Sequence, residues 1–427
     1  MKRPLIWLVL VAAIALALAA LVVALNLRGE DKVHAGFSST AAPSADTVAR
    51  GAYLVRAGNC FSCHTQRGGA PFAGGRAIET PFGTVYGSNL TPDKATGIGE
   101  WNTDEFWRAL HNGRARDGRL LYPAFPYPNY TLLTRADADA IYAYLRTVPA
   151  VAQPNTPHGL RWPYSTQAAL AVWRAMYFKP ETYEPERAQP PEWNRGAYLV
   201  QGLGHCSACH TARNVLGANT GMTDLSGGLI PMLNWYAPAL TSHESGVADW
   251  DLAEIQKLLK TGVAPRGSAL GPMSEVVLES TQHLSDADLH AMAVYLKSLP
   301  AAPPANRGEP VPVTSEMADR GAKIYQKHCA QCHGDKGEGV AGAYPALAGN
   351  RAINLPVTAN LVQIVLGGAF PPATAGNPRP FGMPPFATVL SDQDVAAVLS
   401  HIRNSWGNQS GAVSQLEVNQ QRTSTRL

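Results

Sequence analysis

The pentapeptide Cys-x-x-Cys-His occurs three times, as Cys60-Phe-Ser-Cys63-His64, Cys206-Ser-Ala-Cys209-His210 and Cys329-Ala-Gln-Cys332-His333. Two thiols at this spacing add across the two vinyl groups of one porphyrin, and the adjacent histidine ligates the iron from one face. This is the attachment signature of a c-type haem. The three sites use all six cysteines, leaving none for disulfides or for a thiol nucleophile. A lone copy also reads as a redox Cys-x-x-Cys, but three copies in repeated context do not. The chain must therefore fold around three covalently bound haem c groups.

The context repeats as well. Arg50-Gly-Ala-Tyr-Leu-Val precedes the first site, Arg195-Gly-Ala-Tyr-Leu-Val the second and Arg320-Gly-Ala-Lys-Ile-Tyr the third. Each reads as a short helix that delivers the cysteines at its C-terminal end, with a glycine that lets another helix approach. Each repeat closes on a Ser or Thr followed three residues later by Asp: Thr134 and Asp137, Ser285 and Asp288, Ser391 and Asp394. That is a variant of the capping box. Apolar residues at helical spacing follow, such as Ile141, Tyr144 and Leu145, or Leu289, Ala293 and Leu296. A closing helix that crosses an opening helix around a haem is the outline of a class I cytochrome c. By analogy the fold is mostly α, with three tandem class I cytochrome c domains after an N-terminal transmembrane helix.

That first helix is expected from Lys2 and Arg3 followed by an uncharged, nearly all-apolar run from Leu5 to Leu25. As a helix the run spans about 31 Å, close to the hydrocarbon thickness of a bilayer. A cleaved signal has a shorter apolar core. Its small-residue sites here (Ala15-Leu16-Ala17, Ala17-Leu18-Ala19) lie inside the run, and Val33-His34-Ala35 lies well beyond it. A retained anchor is favoured over a removed signal. Either exports the rest of the chain, and the leading positive charges keep the N-terminus cytoplasmic. The expected location is the inner membrane, with the haem domains in the periplasm.

The expected boundaries are an anchor or uncleaved signal at 1–29, a stalk at 30–46 and cytochrome c domains at 47–150, 192–300 and 316–406. Between the domains lie a Pro-rich linker with a helix at 151–191 and a shorter linker at 301–315. A polar tail at 407–427, without a terminal amphipathic helix, ends the chain. In the first linker, Thr166 to Phe178 places Ala169, Val172, Trp173, Met176 and Tyr177 at helical spacing. Packing between modules is preferred for this helix over a second membrane contact. The net charge is only +3 and no basic run stands out, so nothing points to nucleic acid.

A low-spin carrier needs a sixth iron ligand, and methionine thioether favours ferrous iron and raises the potential. In the third repeat only Met383 of Gly382-Met-Pro-Pro-Phe386 qualifies, fifty residues past His333. In the second, Met273 of Gly271-Pro-Met is placed alike, ahead of Met222, Met232 and Met292, which are read as core packing. The first repeat breaks the pattern, because no methionine occurs between Met1 and Met176 and Phe125 occupies the matching place. Haem one is then five-coordinate, or carries His111, or borrows His158 or Met176. Trp101 and Trp250, each twelve residues before a glycine (Gly113, Gly262), either donate an indole N–H to a haem propionate or pack in the core. Pro345, twelve residues past His333, is a candidate carbonyl partner for the proximal imidazole. His205 and His328, directly before a cysteine, are read as near-haem surface groups.

Residues 47–405 resemble the triple-haem cytochrome c subunits of membrane-bound bacterial dehydrogenases acting on alcohols, gluconate, sorbitol or aldehydes. The phrases that carry this are Arg-Gly-Ala-Tyr-Leu before Cys60 and Cys206, Gly69-Ala-Pro-Phe-Ala-Gly-Gly75, Thr91-Pro-Asp with Thr96-Gly-Ile-Gly-Glu-Trp101, and Glu192-Trp-Asn-Arg-Gly196. The resemblance implies electron relay from a periplasmic dehydrogenase catalytic subunit to ubiquinone or another respiratory acceptor. The chain would be a non-catalytic subunit, since no Gly-x-Gly-x-x-Gly opens a βαβ unit. Alcohol dehydrogenase-type members carry methionine where this chain has Phe125. That departure, together with the retained anchor, favours a molybdenum-type partner oxidising aldehydes or N-heterocycles over a quinoprotein or flavin dehydrogenase. The alternatives are a peroxidase-like oxidoreductase with an open iron at haem one, or a cytochrome subunit of a terminal oxidase.

Overall fold

The computed structural model describes residues 2–30, 43–221, 223–242, 246–301 and 310–424. Val33-His34-Ala35, most of the stalk and Met222 lie outside the described residues. Among the described residues the chain is mostly helical, with three small antiparallel sheets. It divides into two compact units: residues 1–55, 60–184 and 215–218 form one, and 56–59, 185–214 and 219–427 the other.

The anchor helix runs Lys2–Asn26, and within Pro4–Asn26 an 18-residue window reaches mean hydropathy 3.2 with none of its residues buried. By length and composition it is able to cross a membrane. Its last turn is built into the first unit. Asn26, 9 % exposed, donates from Nδ2 to the Ala171 carbonyl at 2.9 Å and accepts from Nε of buried Arg174 at 3.0 Å. Arg114 pairs with Glu30 at 2.7 Å, and Asn112 donates to the Gly29 carbonyl at 2.8 Å. Polar groups so far from bulk water need such partners.

One helix crossing recurs in every repeat. The opening helices Ala45–Ala57, Pro191–Ala197 and Ser315–His328 pack on the closing helices Arg135–Leu145, Asp286–Ser298 and Asp392–Arg403. Gly51, Gly196 and Gly321 stand at the crossings. An added Cβ would lie 2.8 Å from Tyr144 Cβ, 2.9 Å from Tyr295 Cβ or 2.7 Å from His401 Cβ, and nearer still to the carbonyls of Ala140, Ala291 and Ala397. Beside each glycine its neighbouring arginine clamps the N-terminus of the closing helix. Arg50 Nε donates to Asp137 at 2.7 Å, Arg195 makes two bonds to Asp288 at 2.8 and 2.7 Å, and Arg320 Nε donates to Asp394 at 2.9 Å. The same aspartates have their backbone N–H capped by Thr134, Ser285 and Ser391. One short motif thus satisfies helix-end donors and fixes the crossing.

Two parts of the expected layout change. The Pro-rich linker is not only a spacer, because Gly159–Leu160 adds a third strand to the hairpin of Ala77–Thr80 and Gly83–Tyr86. Its helix, Gln167–Tyr177, is capped by Thr166 and buries Leu170 and Arg174. The polar tail contains a helix, Gln415–Ser424, that packs on the third repeat through fully buried Val418. Ser414 and Glu417 cap it reciprocally, with Ser414 N–H donating to Glu417 at 2.8 Å and Glu417 N–H to Ser414 Oγ at 3.2 Å. Within the second unit, Asn360 exchanges hydrogen bonds with the backbone of Tyr236 at 2.7 and 2.8 Å, joining the second repeat to the third.

Candidate haem sites

Each cysteine pair sits on a helical turn, Cys60–His64, Ser207–His210 or Ala330–His333, entered from the opening helix. Asn59 and His205, directly before the first cysteine, take left-handed conformations (φ 49° and 38°) that break the opening helix and start the turn. Few non-glycine residues tolerate this, and Asn and His are among those enriched there. In the second repeat the break is prepared by a π-helical stretch, Tyr198–Leu203.

All three motif histidines meet a backbone carbonyl through Nδ1: His64 that of Ser88 at 2.7 Å, His210 that of Pro238 at 2.6 Å and His333 that of Pro345 at 3.0 Å. A carbonyl only accepts, so Nδ1 carries the proton and Nε2 keeps its lone pair. This is the arrangement of a metal-ligating imidazole, with orientation and tautomer set by a second partner. Burial lowers the pKa of all three and takes His210 to about 4, with Arg351 adding to the shift, so each imidazole is neutral at pH 7. The histidine carbonyls are held alike, accepting from Gly74, Gly227 and Gly339 N–H at 2.8 Å. Those glycines have φ of 82°, 97° and 68°, which only glycine adopts without strain. Burial pushes the Cys60 and Cys206 thiols up to about 12 and Cys329 to about 11. These paired half-buried sulfurs and neutral Nε2-bearing imidazoles suit three covalent haem c groups. Among the described residues no cluster of three or more His, Cys, Asp or Glu forms another metal site.

Met383 and Met273 are half-buried, Met383 in the expected loop and Met273 on a helix. Met383 exchanges backbone hydrogen bonds with Ala369 at 2.8 and 3.1 Å and packs on the third-repeat core. Met273 lies in the first turn of the helix Pro272–Glu279, after Gly271 at φ 56°. A Cβ on Gly271 would enter the Trp235 ring at 2.6 Å, so the entry to this helix requires glycine. Met292 is buried in the closing helix, and Met232 is exposed.

In the first repeat Phe125 stacks at an angle on Tyr130, ring centroids 5.4 Å apart. Tyr130 is buried, and burial together with the nearby Cys60 and Cys63 thiols raises its pKa well above the ordinary value. An aromatic group therefore stands beside the first cysteine pair. His111 is buried, stacks on Trp107 at 4.4 Å, and directs Nδ1 to the Thr131 carbonyl at 2.9 Å. His158 accepts from Tyr86 N–H through Nδ1 at 3.2 Å, which puts the proton of the neutral ring on Nε2 and unsuits that nitrogen for iron. Met176 is 54 % exposed on the linker helix.

Trp101 and Trp250 each precede the N-cap, Asn102 or Asp251, of a helix with a full capping box, and those helices end at Gly113 and Gly262 in left-handed conformation. Trp250 is buried with the Arg351 guanidinium over its ring at 5.1 Å, and Arg351 also donates to the Gly246 carbonyl. Trp101 is half-buried, its carbonyl accepting from the Tyr142 hydroxyl. His328 packs edge-on against Phe386 at 5.9 Å. The carbonyl partners Ser88 and Pro238 escaped the sequence reading, because a backbone acceptor carries no residue signature.

The cytochrome c family profile matches residues 48–149 and 318–406. The chain is 40 % identical over 404 residues to the cytochrome c subunit of the quinone-dependent alcohol dehydrogenase of Gluconacetobacter polyoxogenes, covering 90 % of this chain and 86 % of that one. It is 40 % identical to the gluconate 2-dehydrogenase cytochrome c subunit of Pantoea cypripedii, covering 84 % and 86 %. It is also 40 % identical to a nicotinate dehydrogenase subunit of Pseudomonas putida, over 84 % of this chain and 30 % of that protein.

Proposed function

This chain belongs to the cytochrome c subunits of membrane-bound dehydrogenases, multihaem electron-transfer proteins, and on that footing we propose that it carries electrons from a periplasmic dehydrogenase catalytic subunit to ubiquinone or another respiratory acceptor. The observation that carries the reading is the threefold repetition of a cysteine pair beside a histidine whose Nδ1 is held by a backbone carbonyl. Bound haem c supplies one-electron exchange at iron. The chain's own residues anchor the ring through Cys60 and Cys63, Cys206 and Cys209, and Cys329 and Cys332. His64, His210 and His333 are assigned as proximal ligands, and Met273 and Met383 as the opposite ligands in repeats two and three. Trp101, Trp250 and Pro345 belong to the walls.

The first site differs. With Phe125 beside Tyr130 and no methionine of its own, it is the lowest-potential centre of the three. Phe125 also favours a molybdenum-type partner that oxidises aldehydes or N-heterocycles. The anchor helix is retained in the mature chain, because cleavage after Ala35 would remove Asn26 and Glu30, the partners of buried Arg174 and of Arg114.

The test is purification from the native membrane in mild detergent. The reading expects three haems per chain, a copurifying dehydrogenase that contains molybdenum, and substrate-dependent reduction of a ubiquinone analogue. A preparation with full haem content, no dehydrogenase and peroxide turnover would replace it with the open-iron alternative.

A further inference from the structure

The linker helix Gln167–Tyr177 inverts the usual surface pattern. From Trp162 to Phe178 the one charged residue is Arg174, and it is buried at 3 % exposure between Asn26, Tyr127 and Phe178. The opposite face is apolar and open. Ala168, Val172 and Met176, spaced four apart, form an exposed stripe, with Val172 46 % and Met176 54 % exposed and Tyr177 beside them. In water a helix turns its charge outward and its apolar stripe inward. A contiguous exposed apolar face marks a binding surface.

The position of the helix identifies what covers that face. Its Ala171 carbonyl is hydrogen-bonded to Asn26, the last residue of the apolar span Pro4–Asn26. That span is about 35 Å long as a helix, against about 30 Å of hydrocarbon, so Asn26 stands at the outer edge of the bilayer. Trp162 and Tyr164, both exposed just before the helix, are residue types that settle at headgroup level. We propose that the Ala168–Val172–Met176 face lies in the outer headgroup region of the bilayer that the anchor helix crosses, so that a lipid surface is its occupant. Burying the lone arginine against Asn26 leaves that face free of charge, as an interfacial helix requires. The contact gives the first repeat a second hold on the membrane and fixes the roll of the first unit about its single span. It replaces the expectation that this helix only packs between modules.

The inference rests on retention of the anchor, and the test separates the two. Haem attachment consumes all six native thiols, so Val172→Cys or Met176→Cys supplies a single site for a nitroxide label. Asp117→Cys, in an exposed polar turn with a side chain 65 % exposed, is the aqueous reference. The full haem-loaded chain is placed in phosphatidylethanolamine–phosphatidylglycerol nanodiscs. Collision rates are then measured with oxygen, which concentrates in lipid, and with a water-soluble nickel chelate. The expected result is a several-fold higher oxygen-to-nickel ratio at 172 and 176 than at 117. Ratios equal to that at 117, or labels shielded from both reagents as under a protein partner, would overturn the lipid contact. Intact mass of the same sample reports retention of residues 4–26, and an unchanged haem spectrum shows that the variants are folded.

Discussion

Gly321→Ala sets two forces of opposite sign against each other. Gly321 is in the interior of the helix Ser315–His328, where replacing glycine by alanine favours the helix by about 1 kcal/mol. The new Cβ would stand 2.7 Å from His401 Cβ and closer still to the Ala397 carbonyl, well inside the 3.0 Å that real Cβ atoms respect. Neither is the end of a flexible side chain, so the two helices must separate, loosening the Arg320–Asp394 clamp and the packing of Tyr325 and Val398. Overpacking of this kind costs about 1–3 kcal/mol, and a backbone obstacle puts it at or above the top of that range. The net expectation is a loss of about 2 kcal/mol. For a unit of this size that lowers Tm by about 4–8 °C. Gly367→Ala is the control, since it ends the helix Ala359–Gly367 with no atom within 4 Å of its added Cβ, and it should leave Tm unchanged or slightly raised. Thermal unfolding of the two haem-loaded variants, followed by far-ultraviolet dichroism, decides the matter. Equal or higher Tm for Gly321→Ala would refute the crossing argument for all three repeats.

Other consequences are as specific. Met383→Leu and Met273→Leu should each lower one haem potential, by on the order of 0.1 V within the ~0.8 V that axial ligands command, in a redox titration. Asn26→Leu should destabilise the first unit by about 1–3 kcal/mol in a denaturant titration, because it strands Arg174 without its side-chain acceptor. Burial pulls the Asp394 carboxyl up, but hydrogen bonds from Ser391 and Arg320 outweigh it and hold the group below its ordinary 3.8. A depressed carboxylate stabilises the fold fully above its unfolded pKa and less as pH falls through the folded value. The share of stability that Asp394 contributes should therefore be lost only below about pH 4, and Asp394→Asn should flatten that part of the acid limb in unfolding curves taken from pH 2 to 7.

Much of the helical frame was legible because each repeat announces its own ends. Thr134, Ser285 and Ser391 cap the closing helices, and the Arg-Gly-Ala phrases mark the crossings. The arginine–aspartate clamps join residues 74 to 93 positions apart and follow from no local rule, although both members recur in every repeat. The tail helix was missed because its polar sequence has a single fully buried apolar anchor, Val418, while the signal that betrays it, Ser414 with Glu417, lay in plain view. Third-strand pairing by Gly159–Leu160 had no signal at all, being two residues held by backbone bonds. The inward arginine of the linker helix was invisible too, since periodicity alone does not say which face is solvated.

The inequality of the three haem sites is tested most directly by a potentiometric titration of the full chain, read through the charge-transfer band that marks methionine-ligated ferric haem. The expected result is three one-electron waves. The two higher waves each remove half of the band and disappear selectively from it in Met273→Leu or Met383→Leu, and the lowest wave carries none of it. A band worth three haems, or a lowest wave that moves with either methionine, would contradict the account.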